Sequence, residues 1–201
     1  MGKLAVVFPG IGYTPDKPLL HYARQIAAEQ GYEVRLISYT GFPQNILGNR
    51  DKMAESYRLA LAQAENQLAD TDLSCADDLL LIGKSIGTIL AARFASKRPS
   101  AGRVRLILYT PMEDTFRYPL GDAVVFTGSE DPWVGGTDSR IPALCREQDV
   151  PCVVIPGGNH SLECGSAMRN ILNLQEIMDA TDQFVRNTAP GRCGRQENME
   201  E

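Results

Sequence analysis

With 201 residues, of which 43% are hydrophobic and 22% charged, the chain is long enough to bury the core of one globular domain. Its formal net charge of −5 and the lack of any basic run exclude nucleic acid and anionic membrane surfaces as the expected partners. We therefore predict a single domain over residues 1–186, followed by a polar C-terminal tail over residues 187–201.

The cysteines and histidines argue against metal and disulfide chemistry. The chain has five cysteines, an odd number without a C-x-x-C pair, and two histidines without ligand spacing. The apolar run Leu4–Phe8 is too short for the core of a signal peptide, so none is expected, and no apolar run is long enough to span a bilayer. We expect a cytoplasmic protein with reduced thiols, no metal and no cofactor. The oligomeric state is left open.

Strands and helices are predicted to alternate along the chain. Short apolar runs bounded by glycine, proline or polar residues are typical of buried strands, and apolar residues at helical spacing between them predict helices. In chain order we expect a strand at 4–8, a helix at 18–30, a strand at 33–39, a helix at 51–68, a strand at 79–83, a helix at 86–96, strands at 104–109 and 123–127, a helix at 140–148, a strand at 151–155 and a last helix with Asn173 as its N-cap.

This alternation predicts an α/β fold with a doubly wound, mostly parallel six-stranded sheet and helices on both faces. In such sheets the reactive groups lie in the loops at the carboxyl ends of the strands, so a catalytic side chain is expected directly after a strand. The segment between the fourth and fifth strands, residues 110–122, is barely long enough for a parallel crossover. We therefore expect no lid over the site.

The most informative motif is G-x-S-x-G, formed by Gly83, Ser85 and Gly87 between the third strand and the third helix. In this setting the motif is typical of a nucleophilic serine, because the sharp turn lifts the hydroxyl above the sheet and the glycines let strand and helix approach. The alternative is an ordinary strand-to-helix connection in which Ser85 only caps the helix. Lys84, inside the motif, is assigned no role beyond packing or solvation.

Two further residues directly follow strands and would complete a site with Ser85. His160 follows the sixth strand and is the only credible imidazole base, since His21 is predicted on the solvent side of the first helix. Asp131 follows the fifth strand and would fix the tautomer of the ring. Because this carboxylate would stabilise the protonated ring, we expect the pKa of His160 to be raised above the usual value of about 6.5.

Each of these residues also has a plainer interpretation. Asp131 could start an Asp-Pro turn, and His160 could be an ordinary loop histidine. Glu130 and Glu163 are competing carboxylates, although Glu130 is expected to point away from its neighbour and Glu163 to face solvent. Trp133 is assigned no role beyond packing. The positions of all three candidates in strand-end loops favour the catalytic interpretation.

The order Ser85, Asp131, His160, with G-S-x-D-P after one strand and G-x-N-H-S after the next, resembles the α/β-hydrolase fold. The resemblance is closest to small, lid-less members near the dienelactone-hydrolase-like esterases, and it covers the chain from Leu4 to about Val185. It implies a catalytic triad made of these three residues.

The resemblance also implies an oxyanion hole made by the N–H of Ile86 and one N–H from the loop after the first strand, that of Ile11, with Gly10 and Gly12 beside it at the substrate. A plain turn is the alternative interpretation of these glycines. The loop departs from the family pattern, since it reads P-G-I-G where many members have His-Gly. Ser85 is a second departure, because dienelactone hydrolases proper often carry cysteine as the nucleophile.

From these residues and this resemblance we predict a serine hydrolase that cleaves a small acyl ester through a covalent acyl-enzyme. Loops 40–50 and 132–139 are expected to enclose a modest pocket for the small-molecule acyl substrate. A thioesterase or a small peptidase would use the same triad, and a hydrolase-fold protein could also bind a small molecule without catalysis.

Overall fold

A parallel β-sheet forms the centre of the protein. The structure, a computed structural model, describes residues 2–98 and 102–187, so the predicted tail lies outside the described residues except for Asn187. The strands of the described part are β1 (Lys3–Phe8), β2 (Tyr32–Leu36), β3 (Asp78–Lys84), β4 (Arg103–Tyr109), β5 (Asp122–Gly128) and β6 (Cys152–Ile155). They lie in the order β2-β1-β3-β4-β5-β6, and all neighbouring strands are parallel. The predicted α/β fold class is confirmed.

Helices cover both faces of this sheet. On one face lie α1 (Pro18–Glu29) and α5 (Ala167–Arg186), and on the other lie α2 (Arg50–Gln67), α3 (Ile86–Ser96) and α4 (Ile141–Glu147). The sheet is therefore buried between two apolar layers. This burial explains why its central strands are continuous apolar runs in the sequence instead of alternating with polar residues.

The strand order reverses between β1 and β3, and this reversal determines where a site can form. β1 leads to α1 on one face, whereas β3 leads to α3 on the other, so the two connections diverge and leave a crevice at the carboxyl ends of the strands. The register pairs Phe8 with Gly83 and Lys84 with Tyr109 at that edge. Ser85, the residue after β3, therefore lies at the crevice.

The last helix begins earlier than predicted. Its N-cap is Ser166, whose side chain accepts a hydrogen bond from the Arg169 N–H. Asn173, the predicted N-cap, instead lies inside α5 and is buried. The prediction was wrong because the first turns of α5 expose apolar side chains, which hides the helical pattern of the sequence. These exposed side chains are Met168, Ile171 and Leu172.

The second strand is shorter than predicted, since it lies at the edge of the sheet and pairs with β1. β2 ends at Leu36 instead of Tyr39, because β1 itself ends at Phe8. The N–H of Ile37 still donates to the carbonyl of Val7 at 3.0 Å, and the chain then leaves the sheet toward α2.

Candidate active site

Ser85 occupies a strained turn between β3 and α3. Its backbone angles are φ 56° and ψ −122°, which a residue with a side chain rarely adopts. Its N–H donates to the carbonyl of Tyr109 at 3.0 Å, and its carbonyl accepts from the N–H of Thr88 at 2.9 Å and from the Thr88 hydroxyl at 2.6 Å. These bonds hold the turn and present the serine hydroxyl at the N-terminus of α3.

The two glycines of the motif are required by close backbone contacts. A Cβ added at Gly87 would lie 2.0 Å from the carbonyl oxygen of Phe8, and one added at Gly83 would lie 2.7 Å from the Cα of Thr88. Neither contact is with a side chain that could move away. The glycines therefore let β1, β3 and α3 meet beneath Ser85.

Gly87→Ala is expected to lower the free energy of unfolding by about 1–3 kcal/mol or more, because the added methyl group overpacks a rigid backbone contact. Alanine is otherwise favoured over glycine in a helix, so intrinsic helix propensity acts in the opposite direction. Gly2→Ala is a matched control, since a Cβ there meets nothing within 4 Å. Urea denaturation of both variants measures the effect. Equal midpoints for Gly87→Ala and the wild type would contradict the close contact.

The structure brings the three predicted residues together. His160 Nε2 lies 2.8 Å from Ser85 Oγ, and His160 Nδ1 lies 2.7 Å from Asp131 Oδ2. Asp131 is fully buried, and its Oδ1 accepts a hydrogen bond from the backbone N–H of Trp133 at 2.9 Å. The side chains of Glu130 and Glu163, the competing carboxylates, are exposed. The hydrogen-bonded partner of the imidazole is therefore Asp131.

Close packing of the loops after β5 and β6 aligns the acid with the base. A Cβ at Gly128 would lie 2.1 Å from the carbonyl oxygen of Gly158, so the two loops touch through their backbones. The N–H of Ser129 donates to the carbonyl of Ile155, and the N–H of Glu130 donates to the carbonyl of Gly158. This direct contact between the loops fixes the spacing between the Asp131 and His160 side chains.

The electrostatics of His160 differ from the prediction. Burial lowers the pKa of the imidazole below its usual value, and this effect outweighs the hydrogen bond that the imidazole donates to Asp131, which raises the pKa. The positive charge of Lys84 also lowers the pKa of His160. The expected upward shift was wrong because the sequence does not show how deeply the ring is buried. Only 18% of the imidazole side chain is exposed.

Trp133 and Lys84, to which the sequence analysis assigned no role in catalysis, also affect the site. The indole of Trp133 stacks on the imidazole of His160, with ring centroids 5.2 Å apart and planes 26° apart. Lys84 is 1% exposed, and its Nζ lies 4.9 Å from the centre of the Tyr13 ring. The sequence does contain an indication of this burial, because Lys84 follows the apolar run of β3.

The loop after β1 lies against the nucleophile. A Cβ at Gly10 would lie 3.2 Å from the Cβ of Ser85, so the loop backbone approaches closely. Gly10 and Tyr13 exchange two backbone hydrogen bonds, which places Ile11 and Gly12 at the tip of the turn. In the described chain the N–H groups of Ile11 and Ile86 have no backbone acceptor.

A mostly apolar cavity of about 170 Å³ lies against the segment that follows His160. Its walls come from α1, α5 and the loop after β1, and they include Tyr13, Leu19, Leu162, Leu174 and Ile177. Loops 40–50 and 132–139, the predicted pocket walls, do not line this cavity. Phe42 and Val134, which belong to these loops, pack against the core beside α3.

Other kinds of site are not indicated by the described residues. Within residues 2–98 and 102–187, no group of three or more His, Cys, Asp or Glu side chains could hold a metal ion. The same residues include no helix that is long and apolar enough to cross a membrane. The described cysteines are free thiols, namely Cys75, Cys145, Cys152 and Cys164.

Comparison with known proteins identifies the fold. No protein-family model matches the chain, and neither does any curated protein. Among solved structures, Est1E from Butyrivibrio proteoclasticus is 13% identical with a TM-score of 0.64, and the match covers 91% of this chain and 86% of Est1E. A lid-less α/β serine hydrolase from Xanthomonas campestris is 18% identical with a TM-score of 0.56, covering 94% of this chain and 84% of that one.

An α/β serine hydrolase homologue from Coxiella burnetii is 19% identical with a TM-score of 0.54, covering 94% of this chain and 85% of that one. The narrower resemblance to dienelactone-hydrolase-like esterases stays a prediction. The strand order, the turn at Ser85 and these structural matches agree, and the chain therefore has the fold of the α/β-hydrolases.

Proposed function

We propose that the protein is a serine hydrolase that cleaves a small acyl ester through a covalent acyl-enzyme. One observation carries the proposal. Asp131, His160 and Ser85 form an unbroken chain of hydrogen bonds that ends at a hydroxyl held in a strained strand-to-helix turn. A serine that only capped α3 would not need a buried imidazole and carboxylate in line behind it.

The geometry suits each step of acyl transfer. His160 Nδ1–H donates to Asp131, which leaves Nε2 free to accept the proton of Ser85 as its oxygen attacks the substrate carbonyl carbon. The imidazolium then delivers this proton to the leaving alcohol. In the second half of the reaction, His160 takes a proton from water, the hydroxide attacks the acyl-enzyme, and Ser85 regains its proton.

The oxyanion of the tetrahedral intermediate would be held by the N–H groups of Ile86 and Ile11. Ile86 begins α3, so its N–H points out of the helix N-terminus, where negative charge is favoured. Gly10 allows the loop that carries Ile11 to approach Ser85, and Gly12 has φ 68° at the tip of the same turn. Both donors are preorganised by backbone, so they need no side-chain movement during the reaction.

A small substrate suits the space at the site. The segment after β4 holds a short 3₁₀ turn, Glu113–Arg117, and then enters β5, which leaves no inserted cap over Ser85. The small apolar cavity beside the segment that follows His160 is not lined by any triad residue, so the proposal of a small substrate rests on the missing cap and not on this cavity. Ferulic acid, a small carboxylic acid, binds to Est1E, which has the same fold. We propose that no cofactor takes part, because Ser85 and His160 supply the nucleophile and the base. We also propose that the enzyme acts in the cytoplasm, a compartment in which free thiols such as those of the described cysteines are kept reduced.

The rate of hydrolysis is expected to depend on the charge of His160. Because the pKa of His160 lies below its usual value, kcat/KM should stay high at neutral pH and fall with decreasing pH through a midpoint below about 6.5. Initial rates across a series of buffers at constant ionic strength measure this midpoint. A profile that is flat from neutral pH down to about pH 4.5 would exclude histidine as the base.

Substrate size provides the direct test of the proposed activity. We expect kcat/KM to be highest for short-chain p-nitrophenyl esters and to fall as the acyl chain grows beyond what a small open pocket can cover. No rate increase is expected when a substrate passes its solubility limit. Ser85→Ala is the control for background hydrolysis. A maximum at long chains, or activation at an emulsion surface, would contradict the open site.

A further inference from the structure

The Lys84 side chain places an amine inside the protein, directly beside the nucleophile Ser85 in the chain. Lys84 is the last residue of β3, and its side chain lies on the α1 and α5 face of the sheet. A Cβ at Gly10 would lie 3.5 Å from the Lys84 Cγ, so the bare backbone of Gly10 makes room for the lysine stem. The Nζ ends 4.9 Å from the centre of the Tyr13 ring, at a distance typical of a cation–π contact.

The groups around this amine do not form an ion pair with it. Tyr13 and Lys17 face it from the loop after β1, Asp131 from the loop after β5, and His160 from the loop after β6. Among the described residues, no carboxylate lies within salt-bridge distance of Lys84. The exposed Glu163 interacts electrostatically with Tyr13. An amine that is 1% exposed and has no ion pair is costly for the fold.

We propose that Lys84 is a positioning residue whose buried ammonium keeps His160 in its neutral, proton-accepting form as the solution becomes acidic. The inference rests on the proposed function, because it concerns the base of the same triad. Lys84 does not touch the substrate in this account. It acts through the charge state of His160.

The sign of the effect follows from the charges around the ring. Asp131 favours the imidazolium form, whereas a positive charge at Lys84 disfavours it. Burial lowers the pKa of Lys84 to about 7, so the amine gains its charge as the pH falls below neutral. This charge then opposes protonation of His160 in the pH range where the base would otherwise be lost. The acid side of the activity profile is therefore extended to lower pH.

Titration of His160 by NMR tests this effect without any substrate. The chain has two histidines, so His21→Gln leaves one imidazole signal to follow. In that background, Lys84→Met removes the charge and keeps an apolar side chain of similar length. We expect the midpoint of the His160 titration to move to higher pH. Lys17→Met is the matched control, since it removes an exposed charge on the same Tyr13 ring, and it should leave the midpoint unchanged.

The same variants have an enzymatic readout. In Lys84→Met, the ratio of kcat/KM at about pH 5.5 to that at about pH 8 should fall on the order of threefold. Lys84→Arg should retain the wild-type ratio, because it keeps the charge, and circular dichroism checks that each variant is folded. An unchanged or lower His160 midpoint in folded Lys84→Met would overturn the inference. If the wild type lacks hydrolase activity but the NMR midpoint shifts, the proposed function fails and the charge effect stands.

Discussion

Ser85→Ala and His160→Ala are each expected to lower kcat by on the order of 10⁴–10⁶. Ser85→Ala removes the atom that attacks the carbonyl carbon. His160→Ala leaves the serine hydroxyl without a base, and a hydroxyl alone is almost entirely protonated at neutral pH. Since the two residues act in the same step, the double variant should lose little more activity than either single variant. Steady-state kinetics with one short-chain ester measure all three.

Two matched controls separate loss of chemistry from loss of structure. Ser96→Ala removes a serine hydroxyl at the far end of α3, and His21→Ala removes the other imidazole, which lies beside Arg24 on α1. Both should keep nearly full activity. If His160→Ala retained more than about a tenth of the wild-type rate, the assignment of His160 as the base would be wrong.

Asp131→Asn is expected to reduce kcat by about 10⁴ while the protein stays folded. The amide can donate a hydrogen bond to Nδ1, which favours the tautomer that presents N–H instead of a lone pair to Ser85. The buried carboxylate also stabilises the imidazolium that forms in the transition state, and the neutral amide does not. Comparison of kcat for Asp131→Asn and the wild type measures this loss.

Glu130→Gln is the matched control for the acid. Glu130 precedes Asp131 directly, but its side chain is exposed, so removing its charge should change kcat little. The reverse ranking of the two variants would assign the acid to Glu130. Loss of activity in both variants, with loss of folded structure, would indicate a role of this loop in packing.

The sequence predicts the central strands well because they are buried on both faces. The run from Leu79 to Ile82 is short, bounded by polar residues and glycine, and entirely buried, as expected for a strand that is covered by helices on both faces of the sheet. The start of α5 was harder to predict, since Met168 and Ile171 are apolar and yet exposed. The length of β2 was also missed, because it depends on where the partner strand β1 ends.

In the candidate site, the sequence likewise predicts features that depend on neighbouring residues and misses features that depend on the packing of distant segments. Ser85, Asp131 and His160 were found because each follows a strand, and the carboxyl ends of parallel strands meet at one edge of the sheet. The stacking of Trp133 and the burial of Lys84 depend on how separate loops pack, which local sequence does not show. The direction of the pKa shift of His160 could not be predicted for the same reason.

Labelling with a fluorophosphonate probe tests the central claim most directly, because this reagent reacts with a serine that is activated as a nucleophile. Mass spectrometry of the labelled protein should locate the adduct on Ser85. Labelling should be absent in Ser85→Ala and strongly slowed in His160→Ala, since the imidazole activates the hydroxyl. A folded wild-type protein that does not react, or a Ser85→Ala variant that reacts as fast as the wild type, would contradict the account.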